Sequence, residues 1–556
     1  MEETRENHRF CIIIGAGVGG LVQAAELLRK KVLQSQDLQI LERSSDYGGV
    51  WKAATYPGAA CDVFSCMYQI SWHRNPGKKH AESAQIASSH AVAQQVTTLD
   101  WDCLFPTASE LVNYYKLFAD HYELPRCTKF GQNVEGATWD EKRSLWIVTS
   151  RDGVTGQVSK WSSKVLIQAA GTYNRKSIPA IQGIESFRGD SWHTLDWPSD
   201  YDFTGKVVAY VGTGPTSVQV LPHLQSQAAS VDVFCRSMTY CHPFSNFRYP
   251  RIVKWAFRWI PGLLAGYTYL IASLFGLWAW FAFRPASYVA KFTELYCLRK
   301  LDQVVADPVL RRKLAPTGRF GAKRPLVSLA GFFDVLQKDN VHLQNQPIVA
   351  IDATGVITDN RRSHNTSSTQ LDRPKNGEAG AIVAETSHIK ADVLIWGTGF
   401  KMQGWGGAVP TSGRTGVLLA EHWAENPETL HGTMTDMFPN LFLVNGPNTV
   451  SPWASLIRGL EHQAMHNVQV IRHIRKQTKA FPLYYIEPKP EKVKTWTNTM
   501  QPALDEMATS SKYGPAFYYL SKNGRNTFFW PFSQRYFWWR TRKFNRSNFV
   551  ELVDEV

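Results

Sequence analysis

An α/β fold is what this sequence predicts, and three observations predict it. A glycine-rich turn follows a β-branched run twice, as Cys11-Ile-Ile-Ile-Gly15-Ala-Gly17-Val-Gly-Gly20 and as Val207-Val-Ala-Tyr-Val-Gly212-Thr213-Gly214-Pro-Thr216-Ser217. Each turn opens a helix-like segment, Leu21 to Leu28 and Val218 to Leu224. Each unit then carries a further apolar strand, Leu38 to Leu41 and Val231 to Cys235, ending in one charged residue: Glu42 in the first, Arg236 in the second.

In such a unit the glycines let the backbone approach a pyrophosphate at the helix N-terminus, and the residue closing the next strand reads the ribose. A carboxylate there accepts from free ribose hydroxyls, whereas an arginine pairs with a 2′-phosphate. Gly15, Gly17, Gly20 and Glu42 therefore read as an FAD site. Gly212, Thr213, Gly214, Thr216, Ser217 and Arg236 read as an NADPH site. Ser217 stands where a third glycine would allow the tightest helix–strand packing. Two Rossmann-like domains holding a flavin and a reduced nicotinamide imply redox chemistry.

The order of elements divides the chain into 1–191, the first part of the FAD domain; 192–388, the NADPH domain inserted into it; and 389–556, the returning part of the FAD domain with an aromatic tail. Within the first part, Gly48 to Pro106 reads as irregular, and a β-rich stretch follows that closes on Val165 to Gly171. Asp359 to Gly380 is polar and reads as a loop. Asp392-Val-Leu-Ile-Trp-Gly397-Thr-Gly399-Phe reads as the strand by which the chain re-enters the first domain.

A chain of 556 residues exceeds one core, so several domains are expected. Hydrophobic content of 44% and charge of 19% suit a globular protein. The eight cysteines form no CxxC pair, which excludes a redox dithiol and offers no metal-ligand spacing. Met1 to Arg9 is polar and charged, unlike a signal peptide. Reduced cysteines and a cytosolic setting follow, in which the sequons at Asn365 and Asn545 read as chance. The net charge of +14 is spread rather than striped and carries no recognisable nucleic-acid module, so nucleic acid is not an expected partner.

Trp259 to Phe283 is a run of 25 residues without a charge, inside an apolar helical insertion at 255–285. Its length would span a bilayer. Arg236 before it and Lys323 after it are expected at one nucleotide site, however, so the chain has to return to the side it left. Pro261, Gly262, Gly266 and Gly276 offer break points. An interfacial or re-entrant element is expected, placing the protein on the cytosolic face of a membrane; the alternative is a lid on the core of a cytoplasmic protein. In the tail, Thr527 to Arg546 interleaves aromatics with arginines and reads as core or substrate-channel aromatics with a basic rim.

Two longer patterns are more specific. Gly48-Gly49-Val-Trp51-Lys-Ala-Ala-Thr-Tyr56-Pro57-Gly58-Ala-Ala-Cys-Asp62 fits [AG]GxWxxxx[FY]P[GM]xxxD, and Phe187-Arg-Gly189-Asp-Ser-Trp-His193-Thr-Leu-Asp-Trp197-Pro198 fits FxGxxxHxxxW[PD]. Together they resemble the fingerprints of the Baeyer–Villiger monooxygenases, and Trp197-Pro198 points away from the flavin-containing and N-hydroxylating relatives. The resemblance runs from about Arg9 to Leu552. It implies FAD reduced by NADPH, reaction with O2, and insertion of one oxygen beside a ketone carbonyl.

By that resemblance Gly321-Ala-Lys323-Arg324-Pro325 supplies Arg324 to support the flavin-bound oxygen adduct, with Lys323 joining Arg236 at the 2′-phosphate. Asp62 orients Arg324, while Gly49, Trp51 and Tyr68 pack near the flavin. His193 is expected to make a structural hydrogen bond between domains rather than to act as a base. Met238-Thr239 departs from the usual residues after the phosphate-reading arginine, and Ala60 stands where many relatives carry arginine. The insertion and the aromatic tail suggest a lipophilic ketone such as a terpenoid, steroid or polyketide. N- or S-oxygenation by the same flavin is the alternative activity. A membrane-tethered flavoprotein that binds NADPH without oxygenating anything is a further one.

Overall fold

The computed structural model describes residues 7–75, 101–328, 331–360, 386–402, 405–424, 426–513, 519–521 and 523–552. Asn365 and most of the Asp359–Gly380 stretch lie outside them, as does part of the Gly48–Pro106 stretch.

The first sheet is seeded by β1 (His8–Ile14), whose Cys11 to Ile14 are buried on both faces. Such a run buries between helices in a parallel sheet. β1 lies parallel between β2 (Leu38–Leu41) and the C-terminal half of β6 (Val158–Gln168), with Ile13 level with Ile40 and Ile167. β3 (Thr128–Lys129) extends the sheet beyond β2, while β4 (Gln132–Asp140) and β5 (Leu145–Asp152) continue antiparallel from β6. Helix α1 (Val18–Arg29) follows the first glycine turn and buries Leu21, Val22, Ala24, Ala25 and Leu27.

The second sheet is wholly parallel. Its order is β10 (Val341–Gln344), β9 (Ser230–Phe234), β8 (Val207–Val211), β11 (Val393–Trp396), β7 (Asp190–His193). Two boundaries therefore move. β7 straddles the expected 191/192 division. β11, expected to re-enter the first domain, is a central strand of the second, paired on both sides with Ile395 level with Tyr210 and Trp192. The return comes later, through β12 (Thr411–Ser412) beside β4 and β13 (Leu441–Leu443) beside β6. Val-Leu-Ile-Trp is apolar on every side chain, so its pattern carries no sign of which sheet will bury it.

Helix α2 (Pro215–Gln227) follows the second glycine turn. Neither α1 nor α2 has a side-chain N-cap or an acidic residue in its first turn. The amides at both N-termini are thus left for an anion.

The apolar insertion folds as α3 (Arg251–Trp259), α4 (Leu263–Ala282) and α5 (Tyr288–Val304), with Gly262 at φ +80° making the break between the first two. α4 lies along the protein. Leu264, Ala279 and Ala282 are buried against it, and Gly276 passes so close to the Trp453 carbonyl that a Cβ would sit 3.2 Å from its oxygen. Most of the opposite face is exposed.

Candidate active site

At the first turn Gly15 adopts φ +105°, and a Cβ there would meet the Ala169 carbonyl oxygen at 2.6 Å. At Gly20 a Cβ would lie 2.0 Å from the Gly15 carbonyl oxygen, so strand and helix meet backbone to backbone. Gly49 (φ +56°) is packed against Gly17; its Cβ would stand 2.9 Å from the Gly17 Cα. Two stretches of bare backbone, remote in sequence, thus form one wall. Glu42 is buried beside them, accepting from the Ala16 amide at 2.6 Å and from the Ser44 amide and hydroxyl at 2.8 Å each. These donors hold the carboxylate at the end of β2.

The second turn repeats the design with one change. Gly212 (φ +124°) approaches Gly397, whose carbonyl oxygen a Cβ would meet at 2.3 Å. Ser217 is accommodated because its hydroxyl turns back to donate to the Gly214 carbonyl at 2.5 Å. Thr213 and Cys235 side chains lie 3.2 Å apart, closing the turn against the end of β9.

A cavity of about 1750 Å³ runs between the two units. That exceeds the roughly 300–1,000 Å³ of a single small-ligand pocket. It is lined by Gly15, Gly17, Glu42, Gly49, Trp51, Asp62 and Tyr68 from the first unit, and by Gly212, Thr213, Gly214, Thr216, Arg236, Lys323 and Arg324 from the second. Gly20 and Ser217 do not line it; they set the packing behind it.

Arg324 reaches across the division, and its Nη2 donates to Asp62 at 2.6 and 2.5 Å. The arginine side chain stays 38% exposed, open to the cavity, while that of Asp62 is 16% exposed. Trp51 donates its indole N–H to the Tyr68 hydroxyl at 3.3 Å, with the two rings edge to face. Burial pushes the Tyr68 hydroxyl pKa far up, so it stays protonated.

Lys323 donates to the Ser237 carbonyl at 2.8 Å and to the Ser237 hydroxyl. Burial lowers its pKa to about 8, against some upward pull from Cys235, and the charge of Arg236 lowers it further. Lys323 and Arg236 both line the cavity, near enough for the charge of one to bear on the other. The loop after Arg236 is well anchored despite its unusual Met238-Thr239: Met238 is buried and its carbonyl accepts from the Thr317 amide at 3.3 Å.

The chain matches the flavin-binding monooxygenase-like family over residues 8–259. It is 32% identical over 528 residues to the FAD-binding monooxygenase BOA2 of Botryotinia fuckeliana, covering 93% of this chain and 90% of that protein. The chain belongs to the FAD-binding monooxygenases. A Baeyer–Villiger monooxygenase of Pseudomonas aeruginosa is 27% identical over 97% of this chain and 90% of its own. The crystal structure of OTEMO complexed with FAD and NADP superposes with a TM-score of 0.76 at 23% identity, covering 98% of this chain and 99% of that one, which establishes the fold.

In this FAD-binding monooxygenase one residue of the site escaped the sequence reading. Gln219, on α2, accepts from the Tyr56 hydroxyl at 3.2 Å and the Ala60 amide at 3.3 Å, and donates to the Ala60 carbonyl at 2.8 Å. It ties the loop carrying Asp62 to the second unit. Gly58 (φ +75°) fits there because a Cβ would meet the Gln219 carbonyl oxygen at 2.7 Å. Ala60, which stands where many relatives carry arginine, is held here through its backbone.

His193 makes a structural hydrogen bond, but within the second unit rather than between the two, because β7 and β11 are neighbours in one sheet. Gly399 O can only accept, so Nε2 carries the proton and donates to it at 2.9 Å, while Nδ1 accepts from the Leu195 amide at 3.1 Å. This is a neutral imidazole between β7 and the turn after β11, and burial lowers its pKa. In the tail, Phe528 and Phe529 line the cavity and Trp530 stacks on Trp496, whereas Trp538 and Trp539 are exposed.

Proposed function

We propose that this monooxygenase uses FAD and NADPH to insert one atom of O2 beside the carbonyl of a lipophilic ketone, giving an ester or lactone. The observation that carries the reading is the Arg324–Asp62 pair, set in one cavity between two glycine turns built for dinucleotides.

The residues fit both cofactors. Gly15, Gly17 and Gly49 leave a wall of bare backbone, and the uncapped α1 N-terminus would receive a pyrophosphate. Glu42 would accept from ribose hydroxyls, with Trp51 and Tyr68 against the flavin. The Gly212–Thr216 turn would hold the second pyrophosphate, and Arg236 with Lys323 its 2′-phosphate. When bound, the nucleotide supplies two electrons and the flavin carries them to oxygen. Ketone, O2, NADPH and a proton thus yield ester, NADP⁺ and water; one oxygen atom enters the carbon–carbon bond and the other leaves as water.

Arg324 supplies a permanent positive charge at the reacting centre. Its guanidinium stays ionised at any working pH, so it donates hydrogen bonds to the negative charge developing on the ketone oxygen without surrendering a proton. Asp62 fixes its position, and Gln219 fixes the loop bearing Asp62. His193 takes no proton in this scheme. Phe528, Phe529, Ile271 and Phe275 line the cavity with apolar surface, which favours a lipophilic substrate and excludes water.

Incubation with NADPH, isotopically labelled O2 and a panel of lipophilic ketones tests the reading. A product one labelled oxygen heavier, with NMR placing that atom between carbonyl and α-carbon, is expected. Label on nitrogen or sulfur of a heteroatom substrate alone would favour the N- or S-oxygenating alternative. Hydrogen peroxide as the sole oxygen product would mean a flavoprotein that does not oxygenate.

A further inference from the structure

We propose that the outer face of α3, α4 and α5 docks on the surface of an anionic lipid bilayer and admits lipophilic substrate past Leu274. Each helix exposes one apolar stripe at helical spacing: Ile252, Trp255 and Trp259 on α3; Leu263, Leu270, Leu274, Leu277 and Phe281 on α4; Tyr288, Phe292 and Leu295 on α5. Leu277 is 61% exposed and Tyr288 88% exposed.

α4 is long enough to span a bilayer, but its other face is occupied. Leu264, Ala279 and Ala282 are buried in the protein, and Ile271, Phe275 and Trp278 line the cavity. A helix fixed along its length to a globular body lies on a membrane rather than through it.

Charge selects the occupant. Arg251, Arg258, Lys291 and Arg299 are exposed around the stripes, and Arg535 on the neighbouring tail helix donates to the Tyr269 hydroxyl at 2.8 Å. Within Arg251–Val304 the acids are Glu294, bound to Arg319, and Asp302, within 3.6 Å of Arg311. A second copy of this chain would bring an equally basic face against it and be repelled, whereas anionic headgroups attract it. Exposed Trp255, Trp259 and Tyr288 suit headgroup depth.

Leu274 is both 57% exposed and a lining residue of the cavity. It stands at the rim, so a molecule dissolved in the outer acyl layer reaches the interior without crossing water. That route rests on the oxygenation proposed for the cavity; the docking does not.

Flotation of the flavin-loaded full-length protein tests the docking, using phosphatidylcholine vesicles with and without roughly one-third phosphatidylserine. The protein should float with the anionic vesicles, leave them at high salt, and bind at least about tenfold more weakly as Leu270→Ser/Leu277→Ser/Phe292→Ser. None of these three lines the cavity, so flavin content and turnover of ketone in detergent micelles should persist, while turnover of a long-chain ketone carried in the vesicles falls. Failure to float, equal binding to neutral vesicles, release by detergent alone, or a dimer that the triple variant dissolves would each overturn the docking. Equal loss of both turnovers would overturn the route. If the wild type oxidises no ketone in either form, the oxygenation fails while flotation still judges the surface.

Discussion

Replacing Lys323 with methionine keeps the buried stem, removes the ammonium, and should weaken NADPH far more than NADH. In the folded protein burial opposes its charge first and Arg236 adds to that opposition, which brings the pKa to about 8. About nine in ten molecules still carry the charge at pH 7. A charge-assisted hydrogen bond to phosphate contributes roughly 1.5–3 kcal/mol. The variant should therefore lose roughly ten- to hundredfold in NADPH affinity, at about 1.4 kcal/mol per decade. The direction with pH is also fixed: raising pH through 8 discharges Lys323 in the nucleotide-free enzyme, so wild-type affinity for NADPH falls while affinity for NADH stays level. Anaerobic stopped-flow reduction of the flavin over a range of nucleotide concentrations reads both. Equal losses for the two nucleotides, or the same pH profile for both, would refute the assignment of Lys323 to the 2′-phosphate.

Three further outcomes are expected. Gly20→Ala places a Cβ 2.0 Å from a backbone oxygen, a clash no rotamer relieves, so the variant should lose flavin and unfold well below the wild-type temperature in a thermal scan. Gln219→Ala should keep nucleotide affinity but raise the ratio of hydrogen peroxide to ester, because the loop bearing Asp62 loses its tie to α2; an unchanged ratio would leave Gln219 a packing residue. The buried histidines make the fold acid-labile. Burial holds His462 and His466 at about 4, whereas the unfolded chain takes up protons near 6.5. Between those values the unfolded state binds more protons, so stability falls as pH drops from 6.5 towards 4, by up to about 1.4 kcal/mol per pH unit for each group. His466→Gln should lessen the fall of the melting temperature over that range, leaving the share of His462 in place.

The glycine turns were legible because their cause is local: a positive φ at Gly15 and Gly212, and a helix start with no side chain to cap it. That Glu42 and Arg236 would lie at the cavity was legible because each closes a short strand at a fixed distance from its turn. Val393–Trp396 was assigned to the wrong unit because sheet membership is settled by long-range pairing with β7 and β8, and four consecutive buried apolar side chains fit any sheet interior. Gln219 was invisible for a related reason. In Ser-Val-Gln-Val-Leu it looks like an ordinary polar position of an amphipathic helix, and its role exists only once the Tyr56–Ala60 loop of the other unit is laid against it. The apolar run at 259–283 announced its length and offered four break points, of which the chain turns at Pro261-Gly262 while Gly266 and Gly276 stay inside α4; composition alone could not assign one face to the cavity and the other to the outside.

In the proposed function, the charge of Arg324, held by Asp62, directs oxygen into the ketone. The most direct measurement compares wild type with Arg324→Ala for NADPH consumption, labelled-ester formation and hydrogen peroxide release in the same reaction. The variant should bind flavin and consume NADPH, release peroxide, and form no ester. Labelled ester at the wild-type rate would contradict the account.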